Sequence, residues 1–395
     1  MKITDLKCTV IGKNPVVRIV TDEDISGYAE IETSKYYIKP HVMFYKRFII
    51  GEDPTNVERV MLKIRRLGSF KPWGSAVSAI EMALWDIAGK AAGLPVYKLL
   101  GGKVRDKVRV YNGGVRPSLK GFSPEDYAEN VLQMKKAPEG FTIIKQAIGF
   151  HGSMLANVPD SFYGEAVTGG FYPNRGLLTE RGLKHVIECV KAMKEVLGEE
   201  VGLALDCGPG WVVPSAIRLA KALEPLNIMW LEDLITGDYT PYVLPDVYRE
   251  VTRSTSTPIH TGEQIYLRQN FKDLIEKHAV DIVGPDPCDI GGIAELKWVA
   301  EFADMHDVLI APHGIGDGLI GLAALVQVSA TLPSNYIAFE YPVGNPKWWY
   351  DIVDGLPDPI VKDGFIEVWD RPGLGVDLNE KAARKYLPEG DDFFD

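Results

Sequence analysis

The chain has 395 residues, of which 46% are hydrophobic and 25% charged, and it carries a formal net charge of −11. This length allows one large domain and a smaller one, and the composition excludes disordered and collagen-like classes. The negative charge argues against binding to nucleic acid or to an anionic membrane, and no run of Lys and Arg offsets it. The net charge does not argue against a small anionic substrate, because the local charge of a binding site can differ from the net charge of the chain.

The sequence shows no sign of export or of membrane insertion. The first residues, MKITDLKCTV, lack the apolar region of a signal peptide. No apolar run of about eighteen residues follows. Cys8, Cys189, Cys207 and Cys288 form no CxxC or zinc-finger spacing, so we expect buried thiols. We therefore expect a cytoplasmic protein without membrane association.

The first hundred residues predict a small α+β domain. Residues 1–33 read as strands, with VVRIVTD and SGYAEIE arranged as a hairpin or meander. Residues 36–50 are aromatic and aperiodic, which favours a loop. Thr55 is the candidate N-cap of a first helix, and a second helix begins near Ser75 and stops at Gly93.

Between residues 201 and 340, short apolar runs alternate with turns and helical patterns. Successive runs end 23 to 31 residues apart, which is typical of a repeated parallel βα unit. Each run closes on one ionisable residue. These residues are Asp206, Glu232, Glu263, Asp286, His313 and Glu340.

In a closed βα barrel the carboxyl ends of all strands meet at one face, so these six side chains are expected to converge. Asp206, Glu232 and Glu263 would repel one another unless a cation neutralised them. A hard divalent ion with oxygen ligands, Mg²⁺, fits best. Alternatively, each acid caps the helix that follows its strand. The repetition over three successive strands favours the metal.

The motifs ALD, MWLED, HTGEQ, GPDPCDIGGI, APHG and AFE, in this order and spacing, resemble the enolase superfamily in its mandelate racemase subgroup. The resemblance implies that the three carboxylates bind Mg²⁺. It also implies that His313, paired with Asp286, is the catalytic base, and that Glu340 hydrogen-bonds the substrate carboxylate.

The resemblance also implies the architecture. We expect an α/β fold with a TIM-like (βα) barrel at residues 108–358 and an α+β capping domain at residues 1–107. The tail, residues 359–395, should return to the capping domain. Loops of this lid should set substrate size, with Lys13, Tyr37 and Trp73 as candidates. A homo-oligomer is expected.

The second barrel strand, FTIIKQAIG, departs from the family pattern. The family carries a Lys-x-Lys pair here, and its second Lys is a base on one face of the substrate. Lys145 matches the first position, whereas Ala147 occupies the second. Side chains two apart on a strand share a face, so the barrel interior receives one ammonium and one methyl group. We expect Lys145 to offset negative charge in the site.

Residues 150–178 form an insertion after the second strand, which is expected to lie over the pocket. His151, Tyr163 and Arg175 are candidates for substrate binding or for the acid or base lost at Ala147. Ordinary surface positions are the alternative. Within the family that this chain resembles, sugar-acid dehydratases related to mannonate dehydratase carry Asp-x-His at the third strand. This chain has Asp206, Cys207 and Gly208 there, so the resemblance does not imply that exact substrate.

The expected function is that of a Mg²⁺-dependent hydro-lyase. It would remove the α-proton of a polyhydroxy acid, pass through a metal-stabilised enediolate and eliminate water to a 2-keto-3-deoxy acid. A racemase or epimerase of a 2-hydroxy acid is the first alternative, but it needs bases on both faces, which Ala147 weakens. A catalytically silent barrel that serves binding or regulation is the second alternative. Its mark would be a missing ligand or a missing His–Asp pair.

Overall fold

The fold is taken from a computed structural model that describes residues 1–68, 74–115, 117–149, 154–163, 176–208, 211–235, 243–314, 318–341 and 346–394. The amino-terminal part is a three-stranded antiparallel meander with short helices packed on it. Its strands are β1 (Ile3–Ile11), β2 (Asn14–Thr21) and β3 (Ser26–Glu30). Its helices are α1 (Lys39–Phe44), α2 (Lys46–Ile49), α3 (Val57–Ile64), α4 (Gly74–Ala92) and α5 (Val96–Leu99), with 3₁₀ helices at Thr33–Ile38 and Arg65–Gly68. The predicted meander is therefore confirmed.

Two local predictions for this domain are wrong. Residues 36–50 are helical rather than a loop: one side chain from each short helix, Val42 and Ile49, is fully buried, so tertiary packing stabilises turns that lack a periodic pattern. Helix α3 takes Asn56 as its N-cap residue, and the Thr55 hydroxyl instead donates to Asp53 at 2.7 Å.

The middle of the chain alternates strands and helices, as predicted. The strands are β4 (Lys107–Asn112), β5 (Ile143–Ala147), β6 (Phe162–Tyr163), β7 (Leu177–Leu178), β8 (Gly202–Asp206), β9 (Leu231–Glu232), β10 (Ile259–Thr261), β11 (Ile282–Val283), β12 (Leu309–Ile310) and β13 (Phe339–Tyr341). The helices are α6 (Pro124–Lys135), α7 (Met154–Asn157), α8 (Glu180–Leu197), α9 (Val213–Leu223), α10 (Pro245–Thr252), α11 (Arg268–Glu276), α12 (Ile293–Asp304) and α13 (Gly318–Ser329), with a 3₁₀ helix at Glu224–Leu226. Strands β6 and β7 form a small antiparallel pair inside the insertion.

The other eight of these strands form one parallel sheet that closes on itself. Their order is β12-β11-β10-β9-β8-β5-β4-β13. The ring closes between β12 and the approach to β13, where Ile310 bridges Tyr336 and the amide of Ile337 donates to the Ile310 carbonyl at 2.9 Å. The predicted TIM-like barrel is therefore confirmed.

The inside of the barrel is a buried layer separate from the main core between sheet and helices. One side chain from or beside almost every strand contributes to it, which is the packing expected of a filled barrel. Its buried members are Tyr111, Ile143, Ala204, Trp230, Ile282, Ala311 and Ala338.

The small domain supplies hydrogen-bond acceptors to the amino ends of two barrel helices. Glu30, at the end of β3, accepts the amide of Ile320 in α13 at 2.7 Å. Glu81, in α4, accepts the amides of Ile293 and Ala294 at the start of α12 at 2.8 and 2.9 Å. The first amides of a helix have no acceptor within the helix, so these carboxyl groups join the two domains.

Burial of Glu30 gives the fold a pH dependence that can be measured. Burial raises the pKa of this carboxyl group from 4.5 to about 7. The unfolded chain therefore ionises Glu30 at a lower pH than the folded protein does. The contribution of Glu30 to the stability of the fold is present below pH 4.5 and is lost as the pH rises through about 7. Glu30→Gln keeps an acceptor oxygen and removes the ionisation. We therefore expect the free energy of unfolding of this variant to increase by about 2 kcal/mol relative to that of wild type between pH 5 and pH 8, because only wild type loses stability as the pH rises. Urea denaturation at both values measures the difference, and a pH-independent difference would contradict it.

The carboxyl-terminal residues contact both parts of the molecule. Their elements are β14 (Val353–Asp354), β15 (Phe365–Glu367) and β16 (Asp377–Leu378), α14 (Lys347–Asp351) and α15 (Glu380–Ala383), and a 3₁₀ helix at Arg384–Tyr386. Strand β15 pairs antiparallel with β4 of the barrel. Further on, Asp377 forms an ion pair with Lys90 of the small domain at 2.8 Å. The hydroxyl of Thr9, also in the small domain, donates to the Asp392 carbonyl at 2.9 Å. The boundaries at residues 107 and 358 stay a prediction.

Two other expectations concern membrane spans and cysteines. Within the described residues, no helix combines the length and the apolar character needed to cross a bilayer. The four cysteines are buried thiols, as predicted.

Candidate active site

The inner layer of the barrel determines which side chains reach the carboxyl ends of the strands. Side chains two positions apart on a strand point to the same side. The residues two positions beyond the inner-layer members are Gly113, Lys145, Asp206, Glu232, Gly284, His313 and Glu340. Strand periodicity therefore directs five predicted site residues toward the mouth of the barrel: Lys145, Asp206, Glu232, His313 and Glu340.

His313 and Asp286 form a buried pair. Nδ1 of His313 lies 2.7 Å from Oδ2 of Asp286, while the amide of Cys288 donates to Asp286 Oδ1 at 2.6 Å. Nε2 of the imidazole faces Glu263 at 3.2 Å. Burial lowers the pKa of His313, but the Glu263, Asp286 and Glu340 carboxylates outweigh burial and raise it well above its usual value. Asp286 thus orients the ring, and Nε2 is the nitrogen that can exchange a proton with a substrate.

Lys145 bridges two of the acids. Its ammonium group contacts Glu232 and lies 3.0 Å from Glu340, and all three side chains are buried. Burial lowers the pKa of Lys145, but the two carboxylates raise it well above its usual value, so the group stays charged. The contact with two acids agrees with the expected role of Lys145 in offsetting negative charge.

The two carboxyl oxygens of Glu340 have different surroundings. Oε2 contacts Lys145 and accepts the Tyr111 hydroxyl at 3.3 Å, whereas Oε1 is buried without a hydrogen-bond partner among the described residues. A Cβ atom at Gly113 would lie 1.7 Å from Oε1, so the absence of a side chain at Gly113 makes room for this carboxyl group. Burial raises the pKa of Glu340.

A cluster of carboxylates at the ends of β9 and β10 is suited to a divalent cation. Within the described residues, ligand atoms of Glu232, Asp233 and Glu263 lie within 4.8 Å of one another. These are oxygen donors, which hard cations prefer. Glu232 and Glu263 were predicted ligands, whereas Asp233 was not. Asp206, the third predicted ligand, lies outside this group but is in register with Glu232 on the neighbouring strand, and its Oδ1 accepts the Gly208 amide at 2.8 Å.

The alternative reading of the three acids as helix caps is wrong. The helices that follow their strands begin at described residues whose N-cap positions are Val212, Leu244 and Leu267. Helix capping therefore does not account for the three carboxylates, and repulsion between them must be offset in another way.

Sequence reasoning missed the groups that hold Glu232 in place. The Trp230 indole donates to Glu232 Oε2 at 2.9 Å, and His260 Nδ1 lies 3.5 Å from the same oxygen while its ring stacks on Trp230. Such outer contacts orient a ligand carboxylate. Trp230 could have been found, because it precedes Glu232 by two residues on the same strand face.

The structure does not bring the candidates from the insertion and from the lid to the site among the described residues. His151, Arg175 and Trp73 lie outside the described residues. Tyr163 pairs across the β6–β7 ladder with Leu177 and is 67% exposed. Tyr37 is 47% exposed, and Lys13 is exposed as well. Their predicted roles stay predictions. Ala147 is buried in register with Asp206.

The closed barrel, its ring of acids and the appended small domain define an enzyme of the enolase superfamily. The family described as "Enolase C-terminal domain-like" matches residues 126–382, and the family "Mandelate racemase / muconate lactonizing enzyme, N-terminal domain" matches residues 8–101. The chain therefore belongs to the mandelate racemase/muconate lactonizing enzyme family, as the resemblance implied.

Similar proteins extend over nearly the whole chain. D-xylonate dehydratase of Haloferax volcanii is 33% identical over 100% of this chain and 91% of its own length. D-galactonate dehydratase of Variovorax paradoxus is 31% identical over 96% of this chain and 93% of its own. Among solved structures, the mandelate racemase/muconate lactonizing enzyme-like protein of Rubrobacter xylanophilus superposes with a TM-score of 0.82 at 32% identity, with 100% of both chains covered.

Proposed function

We propose that this protein is a Mg²⁺-dependent dehydratase that converts a sugar acid into a 2-keto-3-deoxy acid. The observation that carries the proposal is the His313–Asp286 pair, whose Nε2 faces the carboxylates of Glu263 and Glu340 inside the barrel mouth. The expected hydro-lyase class agrees with the relatives, which are named dehydratases of D-xylonate and D-galactonate.

The donor set fits a hard cation. Glu232 and Glu263 would hold it, with Asp206 as the predicted third ligand and Asp233 as the additional carboxylate that the fold places beside them. When bound, Mg²⁺ would offset the clustered negative charge and stabilise the charge that develops on the substrate carboxylate.

The side chains of this site can carry out both proton transfers of an elimination. In its neutral form, His313 Nε2 takes the proton from the carbon next to the substrate carboxylate, and Asp286 stabilises the resulting imidazolium, which is the form that the surrounding carboxylates favour. The same imidazolium gives the proton to the hydroxyl on the next carbon, which leaves as water. The enol that remains then tautomerises to the 2-keto-3-deoxy acid.

Glu340 is suited to the other side of the substrate carboxylate. A carboxyl group donates a hydrogen bond to a developing negative charge only when it is protonated, and burial raises the pKa of Glu340 in that direction. Oε1 is the oxygen without a partner among the described residues, so it would make this contact. Lys145 holds the opposite oxygen and fixes the orientation of the group.

The alternatives are weaker on the same residues. Inversion of the α-carbon requires a second base on the opposite face, and a methyl group occupies the place of the second lysine at Ala147. A silent barrel is disfavoured because the His–Asp pair and the acid cluster are both present. The cytoplasmic location and the homo-oligomeric state stay predictions.

The proposal is tested by product analysis over a panel of aldonic and aldaric acids, including D-xylonate and D-galactonate, in the presence of Mg²⁺. At least one acid should yield a 2-keto-3-deoxy acid, detected as its semicarbazone and identified by NMR. The parent aldoses, which lack the carboxylate, serve as matched controls and should not react. Accumulation of an α-epimer without keto acid would support the racemase instead, and binding without any turnover would support the silent barrel.

A further inference from the structure

The turn after β11 begins at the orienting residue of the catalytic pair. Within this turn, the amides of Asp289 and Ile290 donate to the Asp286 carbonyl at 3.0 and 2.8 Å, and the Cys288 amide donates to the Asp286 carboxylate. Residues 286–290 therefore form one hydrogen-bonded unit. A displacement of this unit moves the carboxylate that orients His313.

A buried lysine of the small domain holds this unit from outside the barrel. Lys35 is 6% exposed, and its Nζ lies 2.6 Å from both carboxylate oxygens of Asp289 and 2.9 Å from Glu32. Burial lowers the pKa of Lys35, but the two carboxylates raise it well above its usual value. The ammonium group therefore stays charged in a nearly water-free contact between the domains.

Helix α4 holds the rest of the same turn along one of its faces. Ser75 donates to the Asp289 carboxylate, Ser78 accepts the Gly291 amide at 2.9 Å, and Glu81 accepts the amides at the start of α12. These three side chains recur at intervals of three residues and so lie on one face of the helix. The small domain thus contacts the turn at Asp289 and the residues that follow the turn up to the start of α12.

We propose that Lys35 is a positioning residue for catalysis: through its ion pair with Asp289 it fixes the turn that carries Asp286, and thereby the orientation of His313. This inference rests on the proposed function, in which His313 is the base. The small domain then holds the catalytic pair in place as well as lying beside the barrel.

A role in positioning differs from a role in stability in what it does to turnover. Removing one partner of a buried ion pair destabilises a fold, because a charge is left without a counterion. Displacement of a reacting group by a fraction of an ångström additionally lowers the rate of the chemical step. Substrate binding should change much less, since Lys35 contacts the turn and not the carboxylates of the acid cluster.

The test compares Lys35→Met with wild type on the sugar acid that is turned over. We expect kcat to fall on the order of 10-fold to 100-fold. KM should change by less than about threefold. Amide hydrogen exchange at residues 288–291 should become faster. Ser75→Ala removes only the hydroxyl donor to Asp289, so it should lower kcat and accelerate exchange by smaller factors. This variant serves as the test if Lys35→Met folds poorly.

Asp86→Asn is the matched control. Asp86 is a buried charge on the same helix, but it accepts the amides of Tyr28 and Leu374 and does not contact the turn. It should lower the melting temperature without changing kcat or exchange at residues 288–291. In the double variant Lys35→Met/Asp289→Asn the charges of Lys35 and Asp289 are both gone and Glu32 alone keeps its charge, so the melting temperature should recover in part while kcat stays low.

Two results would overturn the inference: wild-type kcat in Lys35→Met, or recovery of kcat together with the melting temperature in the double variant. Failure of the proposed function is distinguishable, because wild type would then convert none of the sugar acids. In that case amide hydrogen exchange is the only test of the contact between Lys35 and the turn. Unchanged exchange at residues 288–291 in Lys35→Met would refute the link between the domains.

Discussion

Replacement of His313 by Asn is expected to lower kcat by at least about 10³-fold, since the imidazole serves as both base and acid in the proposed elimination. Asn approximates the shape of the ring near Cβ and can still hydrogen-bond Asp286, so the fold should persist. In D₂O, wild type should form a 2-keto-3-deoxy acid with deuterium at C3, and the variant should form none. Product NMR and steady-state kinetics measure both effects.

His306→Asn is the matched control for this experiment. His306 lies in the turn before β12, and its ring packs on Phe302 of α12. This turn is at the amino end of the strand and therefore at the opposite end of the barrel from the catalytic face. Its replacement should leave kcat unchanged. Turnover by His313→Asn close to the wild-type rate would exclude His313 as the base, whereas deuterium incorporation with epimer formation would instead require a second base in the insertion.

Replacement of Glu232 by Gln is expected to weaken Mg²⁺ binding by roughly two orders of magnitude, because it removes a charged oxygen ligand from the carboxylate cluster. Calorimetric titration of the metal-depleted protein with Mg²⁺ measures this directly. Turnover should fall in parallel and should be restored only in part by excess metal. Glu30→Gln makes the same change at a buried carboxyl group that does not belong to the cluster and should bind Mg²⁺ as wild type does.

The same titration decides between the two candidates for the third ligand. Asp206→Asn should weaken binding as Glu263→Gln does. Asp233→Asn should have a smaller effect, because Asp233 Oδ1 already accepts the Thr261 hydroxyl at 2.7 Å and an amide oxygen can do the same. The opposite ranking would replace Asp206 by Asp233 in the proposed site, and unchanged affinity in every variant would remove the metal site altogether.

The barrel and most of its site could be predicted because both follow from local rules. Apolar runs of strand length identify the strands, and the period of two places Asp206, Glu232 and His313 on the inner face once the strand ends are known. The convergence of strand ends then brings distant residues together. These rules need only the order of residues within a strand and the handedness common to βα units.

The contacts between the domains could not be predicted in this way. Lys35 and Asp289 lie 254 residues apart, and neither belongs to a periodic pattern that points to the other. Asp233 belongs to the acid cluster and has a backbone φ of 54°, a left-handed conformation that is uncommon outside glycine and that strand periodicity does not predict. The short helices between residues 39 and 49 form because of tertiary packing, which a local pattern does not contain.

The acceptors that Glu30 and Glu81 provide to α13 and α12 restrict how such a chain can be recombined. A chimera that joins a foreign small domain to this barrel would bury the first amides of two helices without acceptors, unless the new domain brings a carboxyl group to each point. The two glutamates and the helix ends that they serve must therefore be inherited together.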